Sequence, residues 1–310
     1  MTHSRPLLGG IELGGTKCVC LLGTGPDDIR FQKAIPTGND PDATLRCIEH
    51  ILLDAVSTHG QFRVLGIASF GPVDLTRTSL TYGFITSTPK PGWRNTSVAE
   101  RLARTFGTPI AFDTDVNGAA LAEGRWGAAR GLEDFAYITV GTGVGVGLVA
   151  NGRLVHGFAH PELGHIRIAR KAGDDWPGVC LFHGDCVEGL ASGVAISARA
   201  GLPAHQIPAD SSVWQLTAHA LSQLIHTLVV ATAPRRILIG GGVMESRPEL
   251  LDQIRGELVD SLNAYFDLQS LVGRLDGYLV PPGLGALAGP LGALALAADA
   301  APTAEELSAR

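Results

Sequence analysis

The stretch GGIELGGTKCVCLLG, residues 9–23, decides the fold of the first part of the chain. Two short apolar segments, GGIEL and KCVCLLG, flank the turn Gly14-Gly15-Thr16, and this pattern predicts a β-hairpin. Glycines let the backbone approach a phosphate closely and offer it N–H groups, and the Thr16 hydroxyl adds a donor. The turn is therefore a candidate phosphate site, and the alternative is an ordinary tight turn.

A second glycine-rich segment, YITVGTGVGVG at residues 137–147, repeats this pattern later in the chain. The longer stretch around it, residues 135–155, is predicted as two strands joined at the Asn151-Gly152 turn. A third cluster, Gly240-Gly241-Gly242, follows the predicted strand RILIG. Because α/β units follow both hairpins, the pattern predicts an α/β protein with two similar lobes and a cleft between them.

The composition of the chain limits its possible binding partners and its cellular location. A chain of 310 residues is long enough for two domains, and its net charge of −6 offers no basic surface for nucleic acid. Five cysteines cannot all pair within the chain, and the first residues do not match a signal peptide, so we predict a cytoplasmic protein. Residues 283–300 approach membrane-spanning length, but their Gly and Ala content predicts a closely packed helix, so no membrane partner is expected.

Two acidic residues mark a predicted strand end. In DTDVNGAALAEGRW, residues 113–126, Asp113 and Asp115 stand where a strand gives way to a helix, a position that often faces ligands in open α/β sheets. A carboxylate at a helix start stays ionised and can accept the proton of a hydroxyl group. Asp115 is therefore a candidate general base, and the alternative is that it caps the helix.

A short window, residues 164–186, gathers His165, Cys180, His183 and Cys186. Two thiolates and two imidazoles at this spacing match the tetrahedral preference of zinc. Four protein ligands leave no open position, so such a zinc would be structural. The alternatives are ordinary core cysteines with surface histidines, or a disulfide between Cys180 and Cys186.

Two glutamates flank this window. Glu162 precedes His165 by three residues, and Glu188 follows Cys186 by two. Carboxylates accept hydrogen bonds from hydroxyls, so a converging pair would suit a sugar, whereas each alone is a typical solvated surface residue. A histidine that binds zinc through one ring nitrogen could also contact a substrate through the other.

Taken together, these segments resemble the ROK family of sugar kinases, and within it the bacterial fructokinase branch, from Gly10 to about Gly289. The resemblance implies a two-lobed, actin-like (ribonuclease-H-like) ATPase fold with a central cleft, ATP and Mg²⁺ as cofactors, a structural Zn²⁺, and a homodimer. We predict an N-terminal lobe of residues 1–117 and a C-terminal lobe of residues 118–289 with a zinc-binding loop at 160–190. Residues 290–310 are predicted to form a C-terminal helix packed back on the first lobe. The matching stretches are GGIELGGTK, SFGPVD, YGFITSTPKPGWRN, TDVNGAALAEGRWG, YITVGTGVGVG, HPELGHI, CLFHGDCVEGLASG, ILIGGGVM and VPPGLG.

The resemblance also implies roles for individual residues. Asp115 matches the family's general base, and Glu12, where most members have Asp, is a candidate magnesium contact. Zinc ligands would be His165, Cys180, His183 and Cys186, and the C-x2-H-x2-C spacing is similar to that of the fructokinase branch. Sugar contacts would come from Gly71, Thr88, Thr114 (where most members have Asn), Glu162, His165 and Glu188. Nucleotide contacts would come from Gly14, Gly15, Thr16, Lys17, Gly141, Thr142, Gly143, Gly240, Gly241 and Gly242.

The expected function is ATP-dependent phosphorylation of a hexose, with fructose converted to fructose 6-phosphate. Rivals within the same class are kinases of glucose, mannose or an acetylated amino sugar. A rival of a different class is a sugar-responsive binding protein without catalysis. The intact glycine hairpins and Asp115 favour the enzyme.

Overall fold

Groups of short strands and groups of helices follow one another along the described residues. The structure, a computed structural model, describes residues 6–265 and 275–301. The strands are β1 (Leu8–Leu13), β2 (Lys17–Gly25), β3 (Asp28–Pro36), β4 (Leu65–Ser69), β5 (Phe84–Ile85), β6 (Thr96–Ser97), β7 (Ile110–Thr114), β8 (Phe135–Val140), β9 (Val144–Ala150), β10 (Arg153–Leu154), β11 (Arg236–Gly240) and β12 (Leu279–Val280). The helices are α1 (Pro41–His59), α2 (Ala99–Phe106), α3 (Asp115–Trp126), α4 (Val187–Ala191), α5 (Gly193–Ala200), α6 (Ser212–Thr232), α7 (Gly242–Ser246), α8 (Leu250–Leu262), α9 (Leu275–Tyr278) and α10 (Ala288–Ala300).

The described residues fall into two compact units. Unit 1 takes its members from Met1–Gly127, His156–His160 and Ala286–Arg310, and unit 2 from Ala128–Val155 and Pro161–Gly285. The sequence placed the end of the first lobe at residue 117, whereas unit 1 continues to Gly127 because α3 packs on α10 and β4. Residues 1–5 of the predicted first lobe and 302–310 of the predicted C-terminal helix lie outside the described residues.

Unit 1 is built on a five-stranded sheet with the order β3-β2-β1-β4-β7. The predicted hairpin is present, with β1 antiparallel to β2, while β1, β4 and β7 run parallel. In register, Leu13 lies beside Ser69, and Ser69 lies beside Thr114. The carboxyl ends of these three strands therefore meet at one edge of the sheet, which is where open α/β sheets usually bind ligands.

Unit 2 repeats this topology in a second five-stranded sheet, ordered β10-β9-β8-β11-β12. Its hairpin of β8 and β9 is antiparallel, and β8, β11 and β12 are parallel. The sequence predicted two strands across residues 135–155, but there are three, because the turn at Gly141 ends β8 before the Asn151-Gly152 turn separates β9 from β10. The prediction that one α/β pattern occurs twice is confirmed by the matching strand orders.

The glycine- and alanine-rich segment at residues 283–300 forms a single turn of 3-10 helix, Gly285–Leu287, followed by α10. Helix α10 lies against β1, β4 and α3. Close approach is possible because both helices carry glycine at the crossing: a Cβ on Gly292 would lie 2.4 Å from the Gly118 carbonyl carbon. None of the described helices has the length and apolar character needed to cross a membrane.

Candidate active site

The first glycine turn of unit 1 is open on its outer side. The Gly14 N–H donates to the Lys17 carbonyl (3.0 Å), while Gly15, Thr16 and Lys17 are exposed. Thr37 supports the turn from below, because its N–H donates to the Thr16 carbonyl (2.8 Å) and its hydroxyl to the Gly14 carbonyl (2.7 Å). The turn is thus held in shape while part of its backbone faces solvent, as binding a phosphate requires.

Thr88, a predicted sugar contact, lies on a loop that is tied to the same region. It is buried, and its hydroxyl accepts the N–H of Lys90 (3.3 Å). The Lys90 ammonium in turn donates to the Thr37 carbonyl (3.1 Å). Sequence reasoning did not single out Lys90, because the contact links residues that are distant in the chain.

Glu12 supplies a buried carboxylate just before the turn. Its Oε2 atom is buried without a hydrogen-bond partner, and a Cβ on Gly289 would lie 2.0 Å from its Oε1. Burial raises the pKa of Glu12 to about 7, the negative charge of Asp115 adds to the rise, and Lys17 opposes it. An unpartnered carboxylate oxygen beside a second acid is the kind of donor that Mg²⁺ prefers, so these residues fit the expected ion.

Asp115 is the first residue of α3, at the end of β7. The cap of α3 is Thr114, whose hydroxyl accepts the Asn117 N–H (3.2 Å), so the alternative that Asp115 caps this helix is wrong. The Asp115 carboxylate accepts the Val116 N–H (2.9 Å). Burial raises the pKa of Asp115 to about 6, although hydrogen bonds from backbone N–H groups lower it. Such a carboxyl is mostly ionised at neutral pH and more basic than an exposed one.

Asp113 has a different setting from Asp115. Its Oδ1 accepts the Thr114 N–H and the Asn117 side-chain amide, each at 2.7 Å, and its Oδ2 lies 2.9 Å from His156 Nε2. Hydrogen bonding to Asp113 raises the pKa of His156, and burial opposes this rise. Through these hydrogen bonds Asp113 stabilises the junction of β7 and α3. Sequence reasoning missed His156, since no local pattern marks a partner so far along the chain.

Gly71 follows β4 at the same edge of the sheet. The Phe70 N–H just before it donates to the Leu13 carbonyl (2.7 Å), and the Val73 N–H donates to His160 Nε2 (3.1 Å). The Gly71–Pro72 peptide bond is cis. This loop is therefore anchored on both sides of Gly71, and His160 is a second histidine that sequence reasoning did not single out.

In unit 2, the second and third glycine clusters are neighbours. The turn Gly141-Thr142-Gly143 closes through a hydrogen bond from the Gly141 N–H to the Gly143 carbonyl (2.9 Å). Gly240 pairs in register with Thr139, two residues before that turn. Gly241 has a positive φ of 93°, and a Cβ there would lie 2.5 Å from the Val140 carbonyl oxygen, so a side chain would not fit. The two clusters form one glycine-lined edge, with Gly242 exposed at the start of α7.

Glu188 connects this edge to the predicted sugar residues. Its Oε2 accepts the Val144 N–H (3.1 Å), and its Oε1 lies 3.8 Å from His165 Nε2. A Cβ on Gly143 would lie 2.5 Å from Glu188 Oε2, so glycine makes room for the carboxylate. Glu162 is exposed and starts the short turn Leu163–His165, with its carbonyl accepting the His165 N–H (2.9 Å).

The predicted zinc ligands converge. His165, Cys180, His183 and Cys186 each offer one ligand atom, and these atoms lie within 4.8 Å of one another. His165 Nδ1 lies 3.6 Å from Cys180 Sγ, 3.5 Å from Cys186 Sγ and 3.3 Å from His183 Nδ1. A tetrahedral zinc with ordinary bond lengths needs S···N separations of about 3.6 Å and N···N separations of about 3.3 Å. The cluster therefore fits zinc, and both cysteines are free thiols, which argues against the disulfide.

The loop that carries these ligands has its own support. Cys180 and Gly184 exchange two backbone hydrogen bonds, and the Cys186 sulfur accepts the Gly189 N–H as the cap of α4. Asp185, between two of the ligands, pairs with Arg167 and Arg170, each at 3.0 Å. These contacts place the ligands without relying on the metal.

Each unit thus assembles part of the predicted site. Unit 1 brings its glycine turn, Glu12, Gly71 and Asp115 to one sheet edge, with Thr88 on a loop tied to that turn. Unit 2 brings the other two glycine clusters, Glu188 and His165 into one connected set. The binding roles assigned to these residues stay predictions.

Comparisons with known proteins agree with this topology. The fold and the acidic, glycine-lined strand ends define a protein of the actin-like ATPase class. The ROK family model matches residues 8–300, so this chain belongs to the ROK family. It is similar to a fructokinase of Pediococcus pentosaceus, with 40% identity over 94% of this chain and 97% of the relative. It is also similar to a fructokinase of Zymomonas mobilis, with 39% identity over 96% and 98%. A solved ROK hexokinase from Thermus thermophilus superposes with a TM-score of 0.75 at 26% identity, covering 94% of this chain and 98% of that chain.

Proposed function

We propose that this protein is an ATP-dependent hexose kinase that converts fructose to fructose 6-phosphate. The observation that carries the proposal is Asp115, an acid whose pKa of about 6 suits proton transfer near neutral pH, on the sheet edge that also holds Glu12 and the glycine turn. The similarity to proteins named fructokinase supports fructose as the substrate.

Asp115 acts as the general base in this proposal. It accepts the proton of the sugar hydroxyl as that oxygen attacks the γ-phosphorus of ATP, while the bond from this phosphorus to the β,γ-bridging oxygen breaks and ADP leaves. Because α3 is capped by Thr114, the carboxylate of Asp115 remains available for this role. The Thr114 hydroxyl accepts a hydrogen bond within the helix and keeps its own hydrogen for donation, which is compatible with the predicted sugar contact.

In this proposal the backbone N–H groups of the glycine turns bind the phosphates of ATP. Phosphoryl transfer needs little covalent help from the protein, and its barrier is lowered mainly by positioning and by charge stabilisation. The N–H groups at Gly15 and Thr16 lie on an exposed turn that Thr37 holds in shape. The turn of residues 141–143 is fixed in a similar way by the Gly193 N–H, which donates to the Gly141 carbonyl (2.7 Å).

Glu12 would hold the magnesium ion. Bound Mg²⁺ neutralises charge on the ATP phosphates and so eases attack by an anionic oxygen. The orphaned Oε2 of Glu12 and the negative charge of Asp115 are the features of this chain that favour such a cation. Lys17 also lies close enough to affect the charge of Glu12, which is compatible with its predicted contact to nucleotide.

The Cys and His cluster would hold a structural zinc. All four ligand positions are filled by protein atoms, so the ion would cross-link the His165 turn to residues 180–186. His165 would bind zinc through Nδ1 while Nε2 faces Glu188, which orients the imidazole. Glu162, His165 and Glu188 are then proposed as hydroxyl acceptors and donors toward the sugar.

A panel of purified sugars, assayed for ADP release with ATP and Mg²⁺, tests this function. Fructose is expected to give the highest kcat/KM among fructose, glucose, mannose and acetylated amino sugars. A higher kcat/KM for another sugar would replace fructose as the substrate. No sugar-dependent release of ADP, together with measurable sugar binding, would favour the non-catalytic binding protein.

The homodimer and the cytoplasmic location stay predictions that accompany this function. Light scattering of the purified chain at several concentrations tests the first. Fractionation of cells that express the protein tests the second.

A further inference from the structure

We propose that residues 156–160 form a histidine strap whose two end imidazoles position the loop that carries Gly71 and the junction that carries Asp115. The inference rests on the proposed function for its kinetic consequences. Its structural basis is the pair of contacts that His156 and His160 make at the ligand-facing edge of the unit 1 sheet.

The strap has an unusual place in the chain. Residues His156–His160 belong to unit 1, whereas Val155 before them and Pro161 after them belong to unit 2. Within the strap the Gly157 N–H donates to the Ala159 carbonyl (2.9 Å), which forms a tight turn. The Phe158 side chain at this turn is fully exposed. Because His156 and His160 at its two ends both contact unit 1, this compact turn is held in place and is not a simple linker.

His160 fastens one end of the strap. Its Nε2 accepts the N–H of Val73 at 3.1 Å, and both residues are buried. An imidazole that accepts at Nε2 must be neutral, with its hydrogen on Nδ1. Without this acceptor the Val73 N–H would be a buried donor with an unmet hydrogen bond, which is costly. His160 thus fixes the loop that begins at Gly71.

His156 fastens the other end. Its Nε2 lies 2.9 Å from Asp113 Oδ2, while Asp113 Oδ1 accepts from Thr114 and Asn117. The imidazole adds a third donor to the Asp113 carboxylate. Asp113 can then hold the end of β7 and the first turn of α3 together, which sets the direction of the Asp115 side chain.

The two contacts lie near the carboxyl ends of adjacent strands, with Val73 on the loop after β4 and Asp113 at the end of β7. Strands β4 and β7 are parallel neighbours, and Ser69 at the end of one pairs with Thr114 at the end of the other. The strap therefore joins the predicted sugar loop to the junction of the general base. In-line phosphoryl transfer depends steeply on such placement, since a shift of about 1 Å can lower a rate about a hundredfold. His156 and His160 are accordingly positioning residues, not catalytic ones.

Variants at His160 test the strap in the full-length protein. H160L removes the acceptor, and we expect the KM for fructose to rise about tenfold while the KM for ATP stays within about twofold. H160Q places an amide oxygen near the position of Nε2. We therefore expect its KM values for fructose and for ATP to stay within about threefold of those of the wild type. The control H50L changes an exposed histidine on α1 and should leave both KM values unchanged.

A second measurement does not depend on activity. Amide hydrogen exchange at Val73 should be slow in the wild type and H160Q, and at least about tenfold faster in H160L. Two results would contradict the proposal. One is fast exchange of the Val73 amide in the wild type, and the other is an H160L variant whose Val73 exchange and KM for fructose both equal those of the wild type. If the protein phosphorylates no sugar, the proposed function is wrong. Amide exchange at Val73 would still test whether His160 positions the loop, because it does not depend on activity.

If H160L does not fold, variants of His156 decide the question. H156L should lower kcat about tenfold, whereas H156Q, which keeps a donor near Nε2, should recover most of that loss. Equal kcat values in H156L and the wild type would overturn the role assigned to this end of the strap.

Discussion

Asp113 and Asp115 stand two residues apart at one strand end, yet their carboxylates have opposite settings. Asp113 is buried and receives hydrogen bonds from Thr114, Asn117 and His156. Asp115 accepts the Val116 N–H, and burial leaves it with a raised pKa of about 6. The first arrangement stabilises the strand end, and the second gives Asp115 the basicity that its proposed role as general base requires.

Substitution of these two acids should therefore separate chemistry from stability. D115N is expected to lower kcat about a thousandfold, because a general base contributes a factor of this size, with the KM for fructose within about tenfold. D113N is expected to lower the free energy of unfolding by about 2 to 4 kcal/mol, since it weakens a buried, charge-assisted network. Steady-state kinetics and urea unfolding of both variants provide the check. Near-normal turnover in D115N would remove the base assignment.

The pH dependence of the reaction should follow the ionisation of Asp115. Since the proton acceptor must be ionised, kcat/KM for fructose should fall tenfold per unit below a midpoint near pH 6, the value to which burial raises its pKa. The measurement is kcat/KM from pH 5 to 8 at saturating Mg²⁺ and ATP. The residual activity of D115N should lack this acidic limb, and the same limb in D115N would assign it to another group.

Glu12 should make stability depend on pH with a definite sign. Burial raises its folded-state pKa from 4.5 to about 7, so its unfavourable contribution is absent below pH 4.5, grows as the pH rises, and is complete above pH 7. E12Q removes that contribution and should raise the free energy of unfolding by up to ~3 kcal/mol at pH 8. Near pH 4.5 the gain should vanish.

Urea unfolding at the two pH values without Mg²⁺ measures this effect. Added Mg²⁺ should stabilise the wild type at pH 8 more than E12Q, because the variant lacks the carboxylate. A gain in E12Q of the same size at both pH values would mean that burial of the charge is not its cause.

The metal content should follow the Cys and His cluster. After dialysis the wild type should retain about one zinc ion per chain, and C180S should lose most of it and unfold at a lower temperature. The matched control is C47S, which changes an exposed free cysteine outside the cluster. Metal analysis and thermal unfolding give the result. Folded wild-type protein without zinc would reject the structural role.

Several features of the site follow from short stretches of sequence. The first hairpin was predicted correctly because alternating apolar residues and glycines act locally, whereas residues 135–155 form three strands in place of the two predicted. The four candidate metal ligands could be grouped from the sequence because three of them lie within seven residues, Cys180–Cys186, where spacing alone keeps them close. The junction of β7 and α3 was also predicted correctly, which placed Asp113 and Asp115 at the carboxyl end of that strand.

Other features needed the folded chain. Val73 and His160 are 87 residues apart, and His156 lies far along the chain from its partner Asp113, so no local pattern could reveal these contacts. That Thr114 and not Asp115 caps α3 depended on the Thr114 hydroxyl reaching the Asn117 N–H, which is a matter of side-chain direction. Periodicity and turn chemistry set local elements because they act over a few residues. The partners of a buried charge are set by strand register and packing, which bring remote residues together.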